Sequence, residues 1–191
     1  TQLDAVVEYL DKTAREQGYD YHMQLWLPVL KTHIYLAQLE GYAAFDKENL
    51  WPKQDRKWEL SALVGLCDDP VNQAQMPLRI SFSENGHHAV CGTVVSGKST
   101  FLQTLLFSLA NQYSPDYLNL YALDFSSRML APLEKLPHTG GVVYEGEEDR
   151  IGKLFYLLRS AMEERKKLFR GGNYSQYVQA YGVKLPAIIL V

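Results

Sequence analysis

The pattern Gly92-x-x-x-x-Gly97-Lys98-Ser99, spelled Gly-Thr-Val-Val-Ser-Gly-Lys-Ser, constrains this chain more than any other feature. A short apolar run, His87 to Gly92, leads into it, and a helical pattern leaves it. From Lys98 to Tyr113, Phe101, Leu102, Leu105, Leu106 and Leu109 fall on one face. Strand, glycine loop and helix form the setting in which this pattern cradles phosphate. A loop wrapped around a phosphate points successive backbone N–H groups inward. Gly92 and Gly97 permit backbone angles and a close approach that a Cβ would obstruct. Lys98 adds a cation for the β and γ phosphates, and Ser99 offers a hydroxyl to Mg²⁺. The helix opening at Lys98 turns its positive end toward the anion. The candidate site is therefore Gly92, Thr93, Val94, Val95, Ser96, Gly97, Lys98, Ser99 and Thr100, with Ser99 as the metal ligand. Val94 and Val95 stiffen the apex, and a glycine turn that binds nothing is the competing reading.

The rest of the chain supplies a sheet for such a loop. "ELSALVGL" (59–66) and "PLRISF" (77–82) read as strands around the polar turn "CDDPVNQAQM". "LNLYALDF" (118–125) reads as a buried strand, and "LPAIILV" (185–191) has the continuous apolar character of a central parallel strand. A long helix is expected from about Glu147 to Phe169, acidic at its start, basic at its end and closed by Gly171-Gly172. Alternating strands and helices mean an α/β domain with a mostly parallel sheet. Residues 1–57 read as an N-terminal linker or accessory region and 58–191 as the loop-bearing domain. Within the first region, Leu3, Val6, Val7 and Leu10 share a helical face, and Gly18 is a stop signal. Pro28 blocks a regular helix in "QLWLPVL", and Gly41 to Lys57 reads as a connecting loop.

Composition closes off some functions. The formal net charge is −3, which argues against a general nucleic-acid binder. The aromatics Tyr19, Tyr21, Trp26, Tyr35, Tyr42, Trp51 and Trp58 lack regularly interleaved basic residues, so packing is expected of them. Cys67 and Cys91 form no CxxC pair and are expected to be buried thiols of a reducing compartment. No apolar stretch reaches the roughly 20 residues a membrane span needs.

Several further residues hold two readings each. Asp124 ends an apolar strand as a magnesium-binding acid would, but it follows the first helix directly. The better place for that acid is just past "LPAIILV", beyond Val191, so hydrolysis is not legible here. His87 and His88 are adjacent on a strand and face opposite sides, which favours structural roles over a metal pair. His138, in "LPHTGG", is expected in a turn on the ligand side of the sheet, as a functional or a structural residue. Arg128 is either an arginine finger reaching a neighbour's nucleotide or a solvent-facing cation. Arg165, Lys166 and Lys167 read as a solvated helix end.

These stretches together resemble the FtsK/SpoIIIE superfamily of P-loop ATPases, and within it the EssC/EccC ATPases of type VII secretion. "VGLCDDPVNQAQMPLRIS", "GHHAVCGTVVSGKST", "LYALDFSSRMLAPLEKLPHTGGVVYEGEEDRI" and "LLRSAMEERKKLF" occur in the order that branch uses, over about residues 20 to 191. DNA-pumping members carry Asp-Pro-Lys where this chain has Asp124-Phe125-Ser126. The resemblance implies a RecA-like P-loop NTPase fold with ATP and Mg²⁺ as ligands. It also implies a cytoplasmic domain of a bacterial cell-membrane protein, and a downstream (second or third) module of a chain with several ATPase modules. Implied partners are the other modules, small helical secretion substrates and further copies in a hexamer, with DNA not expected. Downstream modules of this kind are implied to bind ATP and to hydrolyse it slowly or not at all. A DNA-translocase motor and a non-hydrolysing docking module are the alternatives. A hydrophobic pocket on the face away from the loop would favour the docking module.

Overall fold

The computed structural model describes residues 1–19, 27–52, 59–126 and 128–191. Tyr21, the Gln24–Trp26 part of "QLWLPVL", Trp58 and the 53–57 end of the expected loop lie outside the described residues. The expected boundary between 57 and 58 lies there too.

The chain forms two compact units. One comprises residues 1–32 and 67–76, the other 33–66 and 77–191. The smaller unit begins with helix α1, Gln2–Glu16, opened by a capping box between Thr1 and Asp4. Its expected apolar face is present, but Leu3, Val6, Val7 and Leu10 are all exposed. The same unit holds the tip of a hairpin made by β1, Ser61–Asp69, and β2, Ala74–Ser81. Both strands run further into the polar stretch than the sequence suggests. The Asp69 carboxylate accepts from the Val71 and Asn72 N–H groups and from the Asn72 side chain. That side-chain turn closes the hairpin in four residues, so no longer loop is needed.

The larger unit is built on a parallel sheet in the order β4-β3-β5, where β3 is Leu118–Asp124, β4 is Thr139–Tyr144 and β5 is Ala187–Leu190. β3 is buried at alternate positions, with Leu118, Leu120 and Ala122 on the enclosed face. β5 pairs on one side only among the described residues, so "LPAIILV" forms a strand but β3 holds the centre. Helix α3, Lys98–Gln112, lies against this sheet through Leu105, Leu106 and Leu109. β1 reaches the same core through Leu60 and Ala62. Side chains of α3 and its C-cap satisfy its edge. The Ser61 N–H donates to the Tyr113 hydroxyl at 3.0 Å, and the Leu63 N–H to Ser108 Oγ at 3.1 Å. Leaving those buried donors unpaired would cost about 1–3 kcal/mol each. The segment before β1 packs here too. Trp51 Nε1–H donates to the Ala110 carbonyl at 2.8 Å, and the Trp51 ring meets Phe45 edge-on.

A short helix α2, Phe82–Asn85, is capped by Ser81. The strand expected next, His87 to Gly92, is absent. Residues 86–93 carry no regular structure, and 87–92 are exposed. The His88 ring turns back, packs edge-on against Phe82 at 5.1 Å and hydrogen-bonds the Ser81 carbonyl at 3.1 Å. Those contacts fold the segment against α2 in place of a strand partner.

The long helix α4, Glu148–Phe169, is present as expected, closed by Arg170 at φ +49° one residue before the expected glycines. Its stripe is less covered than the spacing implies. Leu154 is buried, while Phe155 and Met162 are 50% and 59% exposed. A further helix, α5, Tyr174–Tyr181, was not anticipated. A capping box between Asn173 and Gln176 opens it, and Val178 anchors it in the interior. Arg165 is not on a solvated face. Its guanidinium is half-buried, donates to the Pro186 carbonyl at 2.6 Å and lies over the Tyr174 ring. The two cysteines, expected to be buried, are both exposed. Cys67 sits where β1 leaves the core, and Cys91 lies in the open segment before the glycine loop. No described helix is long and apolar enough to cross a membrane.

Candidate functional site

The nine residues Gly92 to Thr100 form one exposed turn that runs directly into α3. Gly97 caps the helix at φ +88°, a left-handed angle glycine adopts without steric cost. Gly92 is needed for a different reason. A Cβ there would lie 2.5 Å from Ser96 Oγ, because the Ser96 side chain crosses back over it. Lys98 Nζ donates to the Gly92 carbonyl at 2.9 Å and to the Thr93 carbonyl at 2.7 Å. The Ser96 N–H reaches the Thr93 carbonyl at 3.3 Å, which closes the apex. Val94 and Val95 form that apex and are 89% and 96% exposed.

The loop therefore presents cationic and N–H character to one small volume. The first N–H groups of α3, at Lys98, Ser99 and Thr100, have no acceptor within the helix. No acidic residue occupies the first turn of α3 to compete for them. Ser99 is half-buried at the base of the loop. A triphosphate with its metal fits this donor set, since every group listed is a donor, a cation or a hydroxyl.

The other candidates are placed elsewhere or engaged. Asp124 ends β3 and is buried, and both of its oxygens are used. They accept the Leu130 N–H at 3.0 Å and the Ser126 N–H at 3.3 Å, which fixes the loop after β3. Arg128 lies over the ring of Tyr144 in its own chain, 4.7 Å from the centroid. His87 and His88 form no pair, since His88 is turned onto Phe82.

His138 is not on the ligand side. It precedes the first residue of β4, so it lies at the N-terminal edge of a parallel sheet. Its Nε2 donates to the carbonyl of Tyr113, the residue that ends α3. The loop is at the other end of that helix, about 22 Å away for 15 residues at 1.5 Å each. The imidazole is 2% exposed, meets Trp51 edge-on at 5.2 Å, and burial pushes its pKa below the ordinary value. His138 is a core residue that ties β4 to the end of α3.

A groove of about 610 Å³ runs between β5, α3 and α4, lined by Leu102, Leu105, Leu158 and Ile188 among others. It also borders His88 and Val90 at the entry to the glycine loop. It is thus not the pocket on the opposite face that would mark a docking module.

The family model for FtsK/SpoIIIE matches residues 48–184. The chain belongs to the FtsK/SpoIIIE family. Over its whole length it is 29% identical to the type VII secretion system protein EssC of Staphylococcus aureus (strain MRSA252), of which it spans 13%. The cytoplasmic domain of the type VII secretion ATPase EccC from Thermomonospora curvata matches 91% of the chain with a TM-score of 0.71 at 28% identity. The chain covers 22% of that domain. ATPases 2 and 3 of the same EccC, solved with a signal sequence peptide, match 69% of the chain at 33% identity and a TM-score of 0.60. The chain covers 25% of that structure. This FtsK/SpoIIIE domain is homologous to the EssC/EccC secretion ATPases, and its α/β fold is theirs. It represents an ATPase module of a secretion protein many times its length.

Proposed function

We propose that this secretion ATPase module binds ATP with Mg²⁺ at Gly92–Thr100 and that occupancy of the loop is coupled to protein export. The observation that carries this reading is the loop itself. Gly97 opens α3 at φ +88°, and Lys98 is folded across the loop it serves. The loop N–H groups and Lys98 would hold the β and γ phosphates, and the Ser99 hydroxyl would face the metal. The metal would supply charge neutralisation of the triphosphate. Asp124 is engaged by backbone N–H groups and is not assigned to the metal.

The homologous structure holding ATPases 2 and 3 supports a downstream module in a chain of several. The partners proposed are accordingly the other ATPase modules of that chain, other copies in a hexamer, and small helical secretion substrates. The cytoplasmic EccC relative supports a position on the cytoplasmic side of a membrane-anchored protein.

The test is Lys98→Ala, titrated with Mg·ATP by calorimetry alongside the parent chain. The parent binds, and the variant loses binding while its circular dichroism spectrum is unchanged. Equal affinity in both would remove the site assignment.

A further inference from the structure

We propose that Val95 limits how tightly the glycine loop takes up a nucleoside triphosphate, because the cradle forces this β-branched residue into left-handed backbone. The inference rests on the nucleotide reading of Gly92–Thr100 and adds which residue sets the affinity of that site.

Two residues of the loop have positive φ, Gly97 at +88° and Val95 at +64°. Glycine takes such an angle freely, and a residue branched at Cβ is the type least suited to it. The other described non-glycine residues with positive φ are Leu50, Gln73, Arg128 and Arg170, none of them β-branched. Nothing in the packing offsets the strain at Val95, since its side chain is 96% exposed. What holds the angle is local. The Ser96 N–H reaches Thr93 O at 3.3 Å, and the Lys98 ammonium reaches Gly92 O and Thr93 O. The two Lys98 bonds are open to water. Exposed hydrogen bonds contribute little net stability, so the cradle competes with relaxed loops in which Val95 returns to negative φ. Only the cradle-shaped fraction accepts a triphosphate, and the apparent affinity falls in proportion to that fraction.

Val95→Gly removes the steric penalty and adds some freedom to the open loop, which offsets part of the gain. The net expectation is binding tighter by about threefold to tenfold. The gain lies in the association rate, because the variant raises the competent fraction and leaves the bound contacts unchanged. Val94 is the internal control. It is the adjacent residue, of the same type and 89% exposed, but it is not at positive φ. Val94→Gly adds freedom with no strain to relieve, so it binds no tighter than the parent.

The experiment measures equilibrium and stopped-flow binding of Mg·mant-ATP to the full chain, as parent, Val95→Gly, Val94→Gly and Lys98→Ala. The expected result is a faster association and a threefold to tenfold lower Kd for Val95→Gly alone, with about the parent's dissociation rate. A parent that binds and loses binding in Lys98→Ala, with Val95→Gly no tighter than parent, overturns this inference and leaves the nucleotide site standing. An equal gain in Val94→Gly overturns it as well. No binding by either the parent or Val95→Gly removes the nucleotide reading and this inference with it.

Discussion

Replacing His138 by Phe should flatten the acid sensitivity of this fold. The imidazole is 2% exposed, donates through Nε2 to the Tyr113 carbonyl at 2.7 Å, and has no partner at Nδ1 among the described residues. With Nε2 donating, the proton added in acid would go to Nδ1, which has neither an acceptor nor water beside it. Burial therefore holds the folded-state pKa below the ordinary value of 6.5. The unfolded chain takes up a proton as pH falls through that value, while the folded chain does not. Stability from this residue is complete above the unfolded pKa and is lost as pH falls toward the lowered folded one. One proton taken up only on unfolding costs about 1.4 kcal/mol per pH unit. Between pH 7.5 and 5.5 the loss reaches at most about 1.4 kcal/mol, since the unfolded chain titrates midway. The variant also loses the hydrogen bond and leaves the Tyr113 carbonyl unpaired, which costs about 1–3 kcal/mol at either pH. A ring of similar size keeps the edge contact with Trp51. Urea unfolding at the two pH values, parent against variant, separates these effects. The variant should be less stable at pH 7.5 and closer to the parent at pH 5.5. Equal losses on acidification in both proteins would refute a buried neutral imidazole at 138.

Gly92→Ala should weaken Mg·ATP binding by about tenfold or more, because its Cβ would meet Ser96 Oγ at 2.5 Å and push the apex outward. The exposed loop is not part of the core, so the thermal midpoint should stay where it is; a lower midpoint with unchanged affinity would contradict this placement. Asn173→Ala should cost about 1 kcal/mol in urea unfolding, through loss of the cap that starts α5. An unchanged midpoint would mean that α5 adds little to the fold.

Local chemistry made much of this protein legible. The glycine loop and α3 are fixed by a pattern only a few residues apart, as is the C-capped α4. The apolar runs of β3 and β5 pair in parallel as their character requires. α5 had a legible signal in the Asn173–Gln176 capping box, but its eight residues give too little periodicity to outweigh the glycines before it. The strand expected before the loop failed for a non-local reason. An apolar run becomes a strand only where a partner edge is available, and His88 instead found Phe82 and the Ser81 carbonyl. Cys67 and Cys91 were misjudged on residue type alone, since exposure depends on where a strand leaves the core.

The sequence by itself determined that a phosphate-type loop opens a helix against a parallel sheet, because spacing along the chain encodes backbone angles and helix faces. Only the tertiary structure decided which residues share that end of the sheet. Parallel crossovers carry His138 to the opposite edge, bring Arg165 onto Pro186 and Tyr174, and engage Asp124 with its own loop. Those outcomes depend on contacts between residues far apart in the chain or on how a loop closes, and neither is written in local periodicity.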